Sequence, residues 1–199
     1  MSSSNVETRN RILKASLTLL VRSEGKEVRM ADIAKKAGVS RQALYLHFGT
    51  RADLLVATTH YLDDIKGSDS RLAASRAATN GIDRLDAFIE AWAGYIPEIY
   101  GVAKALLAMS DTDEAAEGAW KNRMSDMREG CEAAIEALKS DDALTADLSV
   151  DQATDILWTM LSVRNWEQLT RECGWSQEQF VETLKLSAHR IFVETGARN

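Results

Sequence analysis

The sequence predicts an all-α protein of about nine helices. Two features of the 199-residue chain carry this prediction: it has a single proline, and its apolar residues recur every three or four positions along most of its length. The composition agrees, since 45% of the residues are apolar and 27% are charged, as is usual in globular proteins. At 199 residues, the chain is long enough for one large helical domain or two small ones.

Three short helices are predicted at the start of the chain. Apolar residues at helical spacing predict a first helix over about residues 6–22, which Gly25 ends. A second helix is expected over about 30–37 and a third over about 41–48, with a turn of Gly38, Val39 and Ser40 between them.

The rest of the chain predicts six further helices. A fourth runs from Arg51 to the polar stretch 66–70, and a fifth has one apolar face over 82–96 until Pro97 kinks or ends it. A short sixth helix follows, and a long seventh begins near Asp113. The last two are expected over about 150–173 and 176–194.

Charge is distributed unevenly along the chain. The net charge is −6, yet residues 1–52 contain ten lysines and arginines against four acids, which leaves −12 on the remainder. This asymmetry indicates a basic face for an anionic partner, although a solvated, charged helix is the simpler alternative.

Several classes of protein are excluded by the motifs that are missing. The two cysteines, Cys131 and Cys173, form no close pair, and the three histidines have no metal-binding spacing. No P-loop, GxGxxG or GxSxG motif is present, so we expect no catalytic residues, no metal and no cofactor. The N-terminus has no signal-peptide core and no apolar run reaches a membrane span, so a cytoplasmic protein without a membrane partner is expected.

The segment from Met30 to Phe48 has the pattern of a helix-turn-helix. Ala34 is small enough for two helices to cross closely, Gly38 suits a left-handed turn, and Ser40 can cap the third helix. A miniature core can then form from four apolar residues: Ile33, Ala37, Val39 and Leu44.

Residues directly after the turn are placed to read DNA. In helix-turn-helix proteins the first residues of the second helix reach base edges in the major groove, where Arg pairs with guanine and Gln with adenine. Arg41 and Gln42 occupy these positions, and Ala43 is small enough to contact a thymine methyl group. Two helices joined by such a turn also occur in proteins that never bind DNA, and that alternative stays open.

Four motifs together resemble the TetR (tetracycline repressor-like) family of regulators: Asp32-Ile33-Ala34, Ala37-Gly38-Val39-Ser40, Leu44-Tyr45-x-His47-Phe48 and Arg51-x-x-Leu54-Leu55. The resemblance implies a DNA-binding domain over residues 1–52 and an effector-binding and dimerisation domain over 53–199. It also implies a cytoplasmic homodimer that binds palindromic double-stranded operator DNA and responds to a small-molecule effector. Repression is the family's usual mode, and the alternative is a helical small-molecule-binding or interaction protein without specific DNA binding.

Carried over residue by residue, the resemblance implies the DNA contacts. Ser40, Tyr45 and Arg51 would contact the phosphate backbone, and the base readers would be Arg41, Gln42, Ala43 and His47. Tyr45 and His47 have a structural alternative, as a cover for the small core and a filler at the end of the third helix. The chain departs from the family at Arg29, where a capping Ser or Thr is usual, and at Gly49, where lysine is common.

The resemblance also implies a ligand cavity among the middle helices. Aromatic and thioether side chains suit such a cavity, so we expect a pocket lined by Trp92, Tyr95, Trp120, Met124 and Trp158, each of which is otherwise an ordinary core residue. Arg164 would anchor an anionic ligand or form a salt bridge in the dimer. Apolar stripes on the last two helices would pack within the protomer, across the dimer, or both: Leu157, Met160 and Leu161, and Phe180, Leu184, Ala188 and Ile191.

Overall fold

The structure is a computed structural model that describes residues 3–23 and 26–194. These residues form eleven α-helices and a π-helical turn at Gln168–Glu172. The helices are α1 Ser3–Arg22, α2 Met30–Ala37, α3 Arg41–His47, α4 Arg51–Lys66, α5 Ser68–Arg71, α6 Ala73–Ala77, α7 Gly81–Met109, α8 Glu114–Ser140, α9 Val150–Met160, α10 Val163–Glu167 and α11 Gln177–Phe192. The predicted all-α class is confirmed.

The helix boundaries match the predictions closely in the first third of the chain. α2 is as predicted and α3 is one residue shorter, while Gly25, predicted to end the first helix, lies outside the described residues. The polar stretch after Lys66 holds two short helices, α5 and α6, where a break was expected. At the start of this stretch the Ser70 hydroxyl donates to the Gly67 carbonyl at 2.7 Å.

Two predictions for the later helices are wrong. The fifth and sixth helices are one continuous helix, α7, with Pro97 inside it. The predicted eighth helix stops at Met160, because Ser162 starts a new helix by accepting a hydrogen bond from the Asn165 N–H at 3.2 Å. The apolar pattern continues across this break, so it predicted one helix where the structure has two.

The chain folds as two compact units whose limits differ from the boundary expected at 52/53. The first unit runs to Lys66 and also contains Glu98–Met124, and the second contains Gly67–Pro97 and the residues from Ser125 onward. α1 and α4 pack together in the first unit, and fully buried Ile12, Leu44, Leu54 and Leu55 form part of its core. Compactness does not define a functional domain, so the 52/53 boundary stays a prediction.

A close approach of two helices organises the second unit. The N-terminus of α7 meets the C-terminal end of α8 at Gly81, whose N–H donates to the Asp141 carboxylate at 2.5 Å. A Cβ atom on Gly81 would lie 2.5 Å from the Leu138 backbone nitrogen. Leu85, Ile135, Leu138 and Phe180 are among the fully buried side chains of this unit.

Replacing Gly38 by alanine tests the turn between α2 and α3. The φ of Gly38, 66°, lies in the left-handed region, and a Cβ atom added there would have no other atom within 4 Å, so Gly38→Ala introduces backbone strain without a clash. We expect a loss of about 1 kcal/mol in the free energy of unfolding, measured by urea denaturation. The control is Gly118→Ala in α8, where a Cβ is equally uncrowded and alanine should stabilise by roughly 0.5–1 kcal/mol. Equal effects of the two substitutions would contradict the prediction.

Candidate functional site

The α2–turn–α3 segment is built by local interactions. Gly38 takes the left-handed conformation, and its N–H and that of Val39 donate to α2 carbonyls. The Ser40 hydroxyl accepts a hydrogen bond from the Ala43 N–H at 3.0 Å, which confirms the predicted cap of α3. Arg29 precedes α2 without a side-chain cap, as expected from the loss of the usual Ser or Thr, and Asp32 supplies an acid in the first turn.

Helix α3 has a buried side and an exposed side. Leu44 is fully buried, and Phe48, directly after the helix, is 4% exposed. The predicted miniature core forms around Leu44 with Ile33 and Ala37 buried and Val39 half-buried. The polar side chains of α3 therefore lie on the opposite face.

Predicted base readers fall into two groups on this helix. Arg41 and Gln42 are exposed in its first turn, and Tyr45, predicted to contact phosphate, is 45% exposed. Ala43 and His47 are half-buried, and the His47 ring lies 6.4 Å from that of Phe48. The structure thus presents Arg41 and Gln42 to solvent, and leaves His47 with both its structural and its base-reading interpretation.

A basic residue that the sequence did not single out lies beside α3. The Arg9 guanidinium of α1 lies 5.0 Å from the centroid of the Phe48 ring, a cation–π contact. Arg9 adds positive charge next to the end of α3 while covering a core residue. No local pattern marks this residue, because its contact joins two helices that are distant in sequence.

Arg51, predicted to contact phosphate, makes an internal ion pair. Its Nη1 donates to Asp113 Oδ1 at 2.6 Å and its Nε donates to the Val28 carbonyl at 2.8 Å. The two side chains are only 16% and 12% exposed, and Arg51 Nη2 and Asp113 Oδ2 are buried without a hydrogen-bond partner. A phosphate contact by Arg51 would therefore compete with Asp113, and the predicted contact stays a prediction.

Asp113 also caps α8. Its Oδ1 accepts hydrogen bonds from the N–H groups of Ala115 and Ala116 at 3.1 and 3.3 Å. Burial raises the pKa of this carboxyl, but the hydrogen bond from Arg51 and those from the helix outweigh that effect, so the pKa lies below its usual value. The carboxylate is thus held ionised between the start of α4 and the start of α8.

Asp113→Ala tests this junction. The substitution leaves the Arg51 guanidinium poorly exposed and without its carboxylate, so we expect a loss of about 2 kcal/mol in the free energy of unfolding at pH 7. Because the pKa of Asp113 is lowered by folding, its contribution is present above an unfolded pKa of about 3.9 and is lost as the pH falls through the lower folded value. The free energies of unfolding of wild type and Asp113→Ala should therefore converge in acid. Asp111→Ala, two residues earlier and exposed, is the control and should have almost no effect.

Comparisons with known proteins show what this chain is similar to. A family model described as bacterial regulatory proteins of the tetR family matches residues 12–58, which run from the second half of α1 through α2 and α3 to the middle of α4. The helix-turn-helix segment is therefore similar to that of tetR-family regulatory proteins. The chain is 28% identical over 182 residues to the HTH-type transcriptional regulator CymR of Pseudomonas putida, a match that covers 84% of this chain and 83% of CymR. Both matches agree with the resemblance found in the sequence.

Solved structures show the same fold. A TetR-family regulator from Rhodococcus sp. superposes with a TM-score of 0.73 at 23% identity, covering 94% of this chain and 98% of that one. A transcriptional regulator from Saccharomonospora viridis, solved in complex with choline, gives a TM-score of 0.72 at 20% identity over 95% and 99% of the two chains. Within residues 3–23 and 26–194, no helix is long and apolar enough to cross a membrane, and no cluster of three or more metal-binding side chains occurs.

Two of the predicted pocket residues lie together in the first unit. Trp120 and Met124 line a narrow pocket among α4, α7 and α8, with an open volume of about 20 Å³. Its other walls are mostly apolar, apart from the ion pair of Asp63 and Arg123, whose closest atoms are 3.1 Å apart. The sequence did not indicate Arg123, because its partner lies on another helix.

The other four predicted pocket residues lie in the second unit. Trp92 and Tyr95 are buried with their rings edge to face, 6.2 Å between centroids, and the Trp92 indole N–H donates to the Leu161 carbonyl at 3.0 Å. Trp158 is half-buried, but its Nε1 atom is buried without a hydrogen-bond partner. Arg164 is exposed on α10.

Proposed function

We propose that this protein is a TetR-family transcriptional regulator, a ligand-responsive repressor that binds palindromic operator DNA as a homodimer and is released by a small-molecule effector. The observation that carries the proposal is the exposed face of α3, where Arg41 and Gln42 follow a capped, glycine-containing turn inside a basic segment. In a helix-turn-helix this face enters the major groove.

The proposed DNA contacts divide by exposure. The exposed Arg41 and Gln42 read bases, and the half-buried Ala43 and His47 also contact base edges. Ser40 and Tyr45 contact phosphates, and Arg51 joins them if DNA draws it away from Asp113. Positive charge along the first 52 residues supplies the non-specific part of the affinity.

Dimerisation is proposed for the last helices. Leu157, Leu161, Phe180, Leu184 and Ala188 are buried within the protomer, so these stripes already have partners there. Leu186 and Ile191 of α11 are 52% and 38% exposed and are available to a second copy. Light scattering should give twice the protomer mass, and Leu186→Glu should shift it towards one protomer.

Effector binding is supported by unsatisfied polar atoms. Thr154 and Trp158, one turn apart on α9, carry side-chain Oγ1 and Nε1 atoms that are buried without partners, and such groups are costly unless something pairs with them. The proposal is further supported by the regulator of the same fold from Saccharomonospora viridis, which was solved in complex with choline. The pocket beside Trp120 and Met124 has room for about one water, so an effector there would have to displace side chains.

Release from DNA would follow from linkage. An effector that binds better to a dimer whose recognition helices are wrongly spaced lowers operator affinity by its preference between the two states. To bind two half-sites that lie one helical turn of DNA apart, the recognition helices of the two protomers must be separated by about 34–36 Å.

DNA binding is tested first. The protein is titrated into labelled duplex from beside its own gene and into pools selected from random duplexes, with scrambled duplexes as controls and a salt series. Saturable binding of one dimer, roughly a thousandfold tighter than to the scrambled duplex, supports the proposal. Equal, weak and steeply salt-dependent binding to every duplex would indicate the helical binding protein without specific DNA recognition. Quenching of tryptophan fluorescence by small hydrophobic molecules, with Trp158→Phe as the comparison, tests the effector.

A further inference from the structure

The recognition helix carries an exposed leucine that none of the proposed contacts uses. Leu46 is 82% exposed, whereas Leu44, two residues earlier in the same helix, is fully buried. Single exposed apolar residues are common on protein surfaces, so exposure alone identifies nothing. The position of Leu46 on α3 is the more informative observation.

Leu46 continues the row of side chains that begins at Gln42. Residues four apart lie on one face of a helix, so Gln42 and Leu46 form one exposed row and Arg41 and Tyr45 form the neighbouring one. The face that offers hydrogen-bonding groups at its first turn therefore ends in an aliphatic side chain. A partner that covers this face must therefore contact both the hydrogen-bonding groups and the aliphatic side chain.

DNA offers one apolar group in the major groove. The C5 methyl group of thymine is the only hydrocarbon group on the base edges there, and it is read by apolar contact. The basic charge of residues 1–52 favours a polyanion as the occupant of this face over an apolar protein partner.

We propose that Leu46 is a specificity-determining residue that recognises a thymine through its methyl group. The inference rests on the proposed operator binding. Four residues of helix rise by about 6 Å, and base pairs are spaced by about 3.4 Å. The thymine therefore lies within about two base pairs of the base that Gln42 contacts.

The test removes one methyl group at a time from the DNA. The wild-type protein selects a consensus from random duplexes, each thymine in the consensus is replaced by deoxyuridine, and dissociation constants are measured for wild type and Leu46→Ala. We expect one thymine per half-site whose loss weakens wild-type binding about fourfold, and about fifteenfold when both half-sites are changed. The same replacement should leave the affinity of Leu46→Ala unchanged.

Ile65→Ala is the control, since Ile65 is 52% exposed in α4, outside the helix-turn-helix. Replacement of thymine by deoxyuridine should weaken DNA binding of Ile65→Ala as much as it weakens that of wild type. Thermal unfolding of Leu46→Ala should match that of wild type, because the side chain is exposed. A consensus without thymine near the Gln42 position, or equal deoxyuridine effects in wild type and Leu46→Ala, overturns the inference and leaves operator binding intact. Failure of wild type to select any sequence overturns both.

Discussion

Replacing Arg41 by alanine will weaken operator binding by roughly a hundredfold or more. Arg41 is exposed at the first position of α3, where a bidentate contact with guanine is worth about 1–3 kcal/mol. The proposed homodimer would make the contact in both half-sites, so the two losses add. Binding to scrambled duplex should change much less, because it depends on phosphate contacts.

Lys36→Ala is the matched control for Arg41→Ala. Both substitutions remove one exposed positive charge from the helix-turn-helix, but Lys36 lies in α2, outside the recognition helix. We expect Lys36→Ala to weaken all duplexes by a similar and smaller factor and to reduce the salt dependence. Arg41→Lys should recover little, because lysine cannot make the bidentate contact. Similar losses for both alanine variants on operator and scrambled duplex would show that α3 does not read bases through Arg41.

Replacing Gly81 by alanine will destabilise the second unit by about 3 kcal/mol. A Cβ atom there would lie 2.5 Å from the Leu138 nitrogen and 2.6 Å from the Ala137 carbonyl carbon, and backbone atoms of a helix cannot move aside as a flexible side chain can. The start of α7 must then separate from α8 and strain the hydrogen bond from the Gly81 N–H to Asp141. Urea denaturation followed by tryptophan fluorescence measures the loss.

Gly94→Ala is the control in the same helix and the same unit. No atom lies within 4 Å of a Cβ at Gly94, so alanine should stabilise α7 by roughly 0.5–1 kcal/mol through its higher helix propensity. If Gly81→Ala were as stable as Gly94→Ala, the two helices would have to be free to separate at no cost. The contrast isolates the close contact from the general effect of replacing glycine in a helix.

Sequence reasoning was most successful where interactions are local. The turn needs a left-handed residue at Gly38, and the α3 cap needs a hydroxyl at Ser40, whose partner is three residues away. Such contacts are encoded by neighbours in the chain, so residue type and spacing were enough to predict α2, the turn and α3. The exposed positions of Arg41 and Gln42 follow from the same short segment.

Helix interruptions were predicted less well because local signals compete. Pro97 is a strong reason to end a helix, yet α7 continues through it, and Ser162 interrupts an apolar pattern that reads as one helix. In both places the outcome depends on what the flanking residues pack against. The Leu161 carbonyl at the second break, for example, accepts its hydrogen bond from Trp92, which lies 69 residues away.

By itself, the sequence determined the all-α class, the helix-turn-helix and the exposed side of α3 that we propose reads bases, because each depends on contacts within about one helical turn. Only the tertiary structure decided where Arg51 points, since its partner Asp113 is 62 residues away and no spacing rule connects them. It likewise showed that Gly81 has no room for a side chain and that the predicted pocket residues are divided between two units. Contacts between distant segments depend on how whole helices pack, and that information is spread over the chain rather than held in any one motif.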